Sequence, residues 1–273
     1  MTRARSLFGR AATEAIAAAV APAGRPRPRL LVVFDFDGTL APIVRKPDAV
    51  RLPADTRRLL RRAARLPRVR VALLSARPMA DLDRYAPKDG LLRLAQYGLE
   101  GAVAPPLATR RRIRRGVSRL RARLREVAAR HPGAWIEDKK LSIAVHDRGL
   151  SAARRAALHR ALRPVAALGR TLGFHVAPGR RVLDFVPAAW NKGRALRAVR
   201  RKTAPAVTFY FGDSESDEPA FAALGARDFA VRVGVGTTSA GYRVRSPRDM
   251  ARFLRTLVRL RERAGTASRK ESA

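Results

Sequence analysis

The sequence contains no cysteine, which excludes a disulfide framework and any thiolate-bound metal. Aromatic residues make up only 6% of it, so it offers little stacking surface for single-stranded nucleic acid. Acids are scarce as well: 22 Asp and Glu stand against 58 Lys and Arg, mostly arginine, for a net charge of +36. A field of that sign attracts polyanions. The arginines are scattered rather than gathered in one tract, so we read them as solvated faces and expect no specific nucleic-acid partner. No apolar run approaches the roughly 20 residues of a membrane span. Arginines followed by "AIAAAVAPAG" near the start resemble a secretion signal, but Glu14 interrupts the pattern and alanine dominates it. The expectation is a cytoplasmic protein without membrane contact.

What is present suits a folded enzyme. The chain has 273 residues, 47% of them hydrophobic, enough for one large domain or two smaller ones. Residues 1–28, basic and alanine-rich, read as a short amphipathic helix and a stiff linker ending in "GRPRPR", or as a partly disordered segment. From 29 to 103, apolar runs ("LLVVFDF", "VRVALLS", "LLRLAQY") alternate with helical patterns ("PADTRRLLRRAARL", "MADLDRYA"). The alternation resumes from 185 to 262, with Asn191 capping a helix and "AVTFYFGD" and "DFAVRVG" as strands. Between them, residues 104–184 read differently. A long helix buries Ile113, Val117, Leu120, Leu124 and Val127 on one face. "AWIEDKKLSIAVHDR" reads as two strands, a helix capped by Ser151 breaks near Pro164, and "GFHVAPGRRVLDFVP" reads as a hairpin turned by Pro178 and Gly179. The tail, 263–273, is polar and expected to be disordered. The outline is a doubly wound α/β core, 29–103 and 185–262, split by an α+β insert.

In such open sheets ligands sit outside the carboxyl ends of the strands. Asp35, Asp37, Gly38 and Thr39 follow the first run, Ser75 and Arg77 the second, and Asp213 and Asp217 the run "VTFYFG". Lys192 opens the helix just before that strand. Converging carboxylates repel one another unless a hard divalent cation such as Mg²⁺ neutralises them. Ser75, backbone N–H groups near Gly38 and the Lys192 ammonium suit a phosphate. The set therefore points to phosphoryl transfer. Each signal taken singly has an ordinary reading, as a helix cap, a turn or a surface lysine; the order of all four is what carries weight.

"DFDGTL", "SAR", "NKG" and "FGDSESDE" resemble the four motifs of the haloacid dehalogenase superfamily. "DFDGTLAPI", "YGLEG" (97–101), "IEDKKLSIAVHDR" (136–148) and "VGVGTTSAGYRV" resemble the trehalose-6-phosphate phosphatases within it, over about 30–260. The resemblance implies a haloacid dehalogenase-like parallel-sheet core with the insert, 104–184, as a mobile cap. It implies Asp35 as nucleophile and Asp37 as general acid and base. Mg²⁺ would be held by Asp35, the Asp37 carbonyl and Asp213, with Asp217 acting through a neighbour or a water. Gly38, Thr39, Ser75 and Lys192 would bind phosphate. Arg77, Glu137, Lys139 and Asp184 would bind substrate, a sugar phosphate, and a trehalose-phosphate synthase is a possible partner.

Three departures stand out. Asp184 replaces a more usual glutamate, "SAR" a more frequent "SGR", and Ser214 a frequent aspartate. On residue type alone the run from Glu137 to Lys140 is a solvated turn, His146 packs beside a strand, and Arg148 pairs with Asp147 or meets substrate. Tyr97 and Glu100 fill a hinge, and Trp190 shields Lys192. Phosphatases of sucrose phosphate or of mannosyl- and glucosyl-phosphoglycerate share such motifs and remain alternatives, as does a polyanion-binding module on the same fold.

Overall fold

The computed structural model describes residues 4–21, 29–44, 49–179 and 181–270, and side chains as far as Arg263. Two sheets organise it. The larger contains β1 (Arg5–Ser6), β2 (Leu30–Phe34), β3 (Val69–Leu74), β4 (Leu91–Ala95) and β5 (Glu100–Gly101). The smaller contains β6 (Trp135–Asp138), β7 (Ile143–His146), β8 (Phe174–Gly179) and β9 (Val182–Pro187). The chain then returns to the larger sheet with β10 (Val207–Gly212), β11 (Phe229–Val233) and β12 (Tyr242–Val244). The larger sheet runs β1-β12-β11-β10-β2-β3-β4-β5 and is parallel except where β5 meets β4; the smaller runs β6-β7-β9-β8 and is antiparallel.

Helices α1 (Arg10–Val20), α2 (Ala54–Ala64) and α3 (Met79–Tyr85) precede the insert. Helices α4 (Leu107–Ala129), α5 (Ala152–Ala161) and α6 (Arg163–Thr171) lie within it, and α7 (Lys192–Thr203), α8 (Glu218–Phe221) and α9 (Arg248–Lys270) follow. No helix among the described residues is long and apolar enough to cross a membrane.

Strand β2 is central and buried throughout. Leu30, Val32 and Phe34 pack in one core with Leu59, Leu60, Phe253 and Leu257; Leu31 and Val33 pack in the opposite core with Leu196 and Val199. A strand covered on both faces needs a continuous apolar run, and that is what residues 30–34 provide. A third core fills the insert, where Ile113, Val117, Leu120 and Leu124 of α4 meet Ile143, Val145 and Phe185.

Three outcomes differ from the sequence pattern. The N-terminal segment lies on the core: β1 pairs with β12, and Leu7, Ile16 and Val20 are buried. The linker after it, 22–28, falls outside the described residues. The insert hairpin does not turn at Pro178 and Gly179, which still pair with Leu183 and Val182; its turn lies one step later, where Arg181 takes φ +65°. The last helix runs to Lys270 instead of closing near 262. Gly265 inside it costs about 1 kcal/mol against alanine and does not end it.

Candidate active site

Register brings three strand ends together. Phe34 pairs with both Leu73 and Phe211, so Asp35, Ser75 and Asp213 leave the sheet side by side. Asn191 caps α7 by accepting from the Arg194 N–H at 2.8 Å, which sets Lys192 at the first position of that helix. Lys192 is 2% exposed, and its ammonium lies 2.8 Å from Asp35 Oδ1 and 2.8 Å from Asp217 Oδ1.

Carboxylate oxygens of Asp35, Asp213 and Asp217 lie within 4.8 Å of one another. Burial raises the Asp35 pKa well above the carboxylate range; Lys192 opposes this, while Asp217 and Asp213 add to it. Burial and Asp217 push Asp213 up to about 6. Lys192 is itself pulled down by burial, but Asp217 and Asp35 outweigh that and keep it charged. An all-oxygen donor set short of positive charge fits a hard divalent cation.

Asp217 has a different character. Oδ1 accepts from Lys192 and the Tyr210 hydroxyl (both 2.8 Å), and Oδ2 from the N–H groups of Asp213 and Ser214 (3.2 and 3.0 Å) and the Ser214 hydroxyl (2.9 Å). Both oxygens are engaged by protein donors, so Asp217 positions Lys192 and the Asp213 loop. Ser214, where an aspartate is frequent, completes this cap. Gly38 is required by space: it has φ +79°, and a Cβ there would stand 2.0 Å from an Asp213 oxygen.

Asp37 turns away from the acid cluster. Arg77 donates to both of its oxygens, from Nε at 2.6 Å and Nη2 at 2.8 Å, and reaches Asp81 at 3.3 Å. Arg77, expected at the substrate, thus grips the expected general acid. Its own backbone N–H donates to Ser75 Oγ at 3.1 Å. Burial lowers the Arg77 pKa, but Asp37 more than compensates.

The insert supplies the opposite wall of a cavity of about 220 Å³, lined among others by Asp35, Asp37, Ser75, Arg77, Glu137, Lys139, Asp184 and Asp213. Gly38 and Thr39 do not line it; the Thr39 hydroxyl is buried with no hydrogen-bond partner among the described residues. The charged run of the insert divides by strand alternation. Glu137 and Lys139 face the cavity, while Asp138 turns outward to Arg121. Glu137, Ala144, Asp184 and Ala177 form one row across the smaller sheet, which sets Glu137 and Asp184 on the same face.

His146, Nε2 at 2.9 Å from Glu137 Oε2, stacks on Trp135 with centroids 3.7 Å apart. Burial raises the Glu137 pKa, but His146 and Lys139 bring it below its usual value. Asp184 does not present a free carboxylate: Lys139 Nζ lies 2.9 and 3.2 Å from its two oxygens, and the Tyr97 hydroxyl donates to Oδ2 at 3.2 Å. Arg148 donates to the Val44 carbonyl, Glu100 accepts from the first N–H of α3, and Trp190 lies under Arg194. Pattern reading missed Gln96, Tyr210 and Asp81 as supports of the site; nothing in their residue types signals it.

The fold is that of the haloacid dehalogenase-like hydrolases. One such hydrolase, from Bacteroides thetaiotaomicron, superposes with a TM-score of 0.55 at 14% identity, covering 82% of this chain and 98% of that one. Within that class the chain belongs to the trehalose-phosphatase family, whose profile matches residues 33–249. A trehalose-phosphate phosphatase of Mycobacterium ulcerans is 33% identical over 265 residues, 88% of this chain and 64% of that protein. The chain therefore spans less than two thirds of that relative's length. A solved trehalose-6-phosphate phosphatase related protein matches with a TM-score of 0.71 and 24% identity over 84% of this chain and 97% of its own.

Proposed function

We propose that this protein hydrolyses trehalose 6-phosphate to trehalose and inorganic phosphate. Family membership supports the reading, and one observation carries it: Asp35 stands beside Lys192 and Asp213 on one side of a cavity whose other side holds Glu137, Lys139 and Asp184. The Asp35 oxygen not held by Lys192 attacks phosphorus, the bond from phosphorus to the sugar oxygen breaks, and an aspartyl-phosphate forms. Asp37 gives a proton to the leaving sugar oxygen. It then takes one from the water that attacks the aspartyl-phosphate, releasing phosphate and restoring Asp35. The Arg77 grip on Asp37 has to open first, because both Asp37 oxygens are engaged by the guanidinium and neither faces a leaving group while it holds.

Asp35, Asp213 and the Asp37 carbonyl would hold Mg²⁺. The ion offsets the charge of the acids and the phosphate when bound. Ser75 binds phosphate oxygens; of the neighbouring candidates, the Gly38 N–H already donates to the Ala41 carbonyl at 2.8 Å and Thr39 does not line the cavity. The insert acts as a cap that closes over the sugar and excludes water, with Glu137 and Lys139 meeting sugar hydroxyls. Association with a trehalose-phosphate synthase belongs to the same reading.

A second reading keeps the chemistry and changes the sugar. It is favoured by Asp184, which is already bound to Lys139 and Tyr97. Phosphate release with Mg²⁺ from trehalose 6-phosphate, sucrose 6-phosphate, mannosylphosphoglycerate and glucose 6-phosphate decides between them. Preference for trehalose 6-phosphate is expected, preference for another sugar moves the substrate, and release from none contradicts both.

A further inference from the structure

We infer that the adjacent residues Gln96 and Tyr97 form a positioning element that registers the sugar-facing wall of the cavity against its phosphate-facing wall, with the Tyr97 hydroxyl holding Asp184 and, through it, the Lys139 ammonium. The inference rests on the proposed function for the choice of substrate and for which wall faces the sugar and which the phosphate; the contacts between the two walls stand without it.

The backbone is the first observation. Gln96 has φ +46° and Tyr97 φ +59°, followed by Gly98 at φ +89°. Residues with full side chains avoid this left-handed region, and a bulky aromatic residue there is an outlier. The turn between β4 and β5 has no local need of Gln and Tyr, since glycine or asparagine makes such turns without strain. Both residues are nonetheless buried there. Strain of this kind persists where surrounding contacts over-determine it, and it gathers at functional sites.

The contacts are the second observation, and they run in two directions. The Gln96 N–H donates to the Arg77 carbonyl at 2.9 Å and the Tyr97 N–H to the Ser75 carbonyl at 3.0 Å, fixing the loop beside the expected phosphate. The side chains reach the insert. Gln96 Nε2 donates to the Lys139 carbonyl at 2.7 Å, and its Oε1 accepts from Ser142 Oγ at 3.0 Å. The Tyr97 hydroxyl donates to Asp184, whose oxygens hold Lys139 Nζ. Burial and the Asp184 charge raise the phenol pKa well above its usual value, so it remains a donor. Two consecutive residues thus tie Ser75 and Arg77 to Lys139 and Asp184. The left-handed geometry is what lets their amides face the core while their side chains face the insert.

A polar plug that serves only stability would weaken every activity together. A positioning element alters the sugar part selectively. The test compares wild type with Tyr97→Phe, which keeps the ring, and with Asp184→Asn, which weakens the other end of the chain. Two readouts are taken. One is the ratio of kcat/KM for the preferred sugar phosphate to that for p-nitrophenyl phosphate, which has no sugar to align. The other is the rate at which an amine-acylating reagent modifies Lys139, followed by peptide mass spectrometry. In both variants the ratio is expected to fall about tenfold, through KM, as befits loss of one buried hydrogen bond to a charged group. Lys139, 8% exposed in the intact chain, is expected to be acylated faster. A wild-type ratio in both variants, or Lys139 acylated at the wild-type rate, overturns the inference. If wild type hydrolyses no sugar phosphate, the proposed function fails while the acylation rate alone decides this inference.

Discussion

Lys192 is the residue on which the acid cluster depends. It is buried between Asp35 and Asp217, and its removal leaves both carboxylates without their cation. Breaking a buried pair in this way costs about 3–5 kcal/mol. Lys192→Met is therefore expected to lower the urea-unfolding free energy by about that amount and to abolish activity; a loss below about 1 kcal/mol would contradict the pairing. The acids also set a pH dependence. Asp35 lies well above, and Asp213 at about 6 against, a usual value of 3.8. Between the usual and the raised values the folded protein binds more protons than the unfolded chain, so these groups make stability fall as pH rises through that window. A divalent cation displaces those protons and relieves the repulsion. Mg²⁺ should then raise Tm more at about pH 7.5 than at about pH 5, and an equal rise at both would count against a cation among these acids.

At the scale of elements, the N-terminal segment makes the clearest prediction. Leu7, Ile16 and Val20 are buried against the main core, each contributing about 1.5–3 kcal/mol. Deleting residues 1–21 should lower stability by more than any one of these, measured by urea unfolding; an unchanged midpoint would mean that the segment does not dock. This docking was hard to read from sequence because a two-residue strand carries no periodicity. The strand ends were legible for the opposite reason. Apolar runs of β2, β3 and β10 stop abruptly at Asp35, Ser75 and Asp213, and a polar residue in that place has few roles in an open parallel sheet. Glu137 and Lys139 separate from Asp138 only once the strand is known to alternate there. The left-handed Gln96–Tyr97 pair was not legible, since neither residue type signals positive φ.

At the scale of the whole molecule, two oppositely specialised surfaces coexist. The exterior is basic: Arg111, Arg112, Arg114, Arg115 and Arg119 on α4 are exposed, opposite the apolar stripe that packs into the insert. The cavity gathers acids from both the core and the insert. A polyanion binder gains nothing from collecting Asp35 and Asp213, whose mutual repulsion destabilises the chain without a cation. On the proposed function the acid cluster, rather than the surface charge, is the working part of the molecule, with Asp35 at its centre. The most direct measurement of that claim is peptide mass spectrometry of protein acid-quenched during turnover of trehalose 6-phosphate with Mg²⁺. A phosphoryl group on Asp35, absent in Asp35→Asn along with phosphate release, is the predicted result. Phosphate release by the Asp35→Asn protein, or phosphate carried on another residue, would contradict the account.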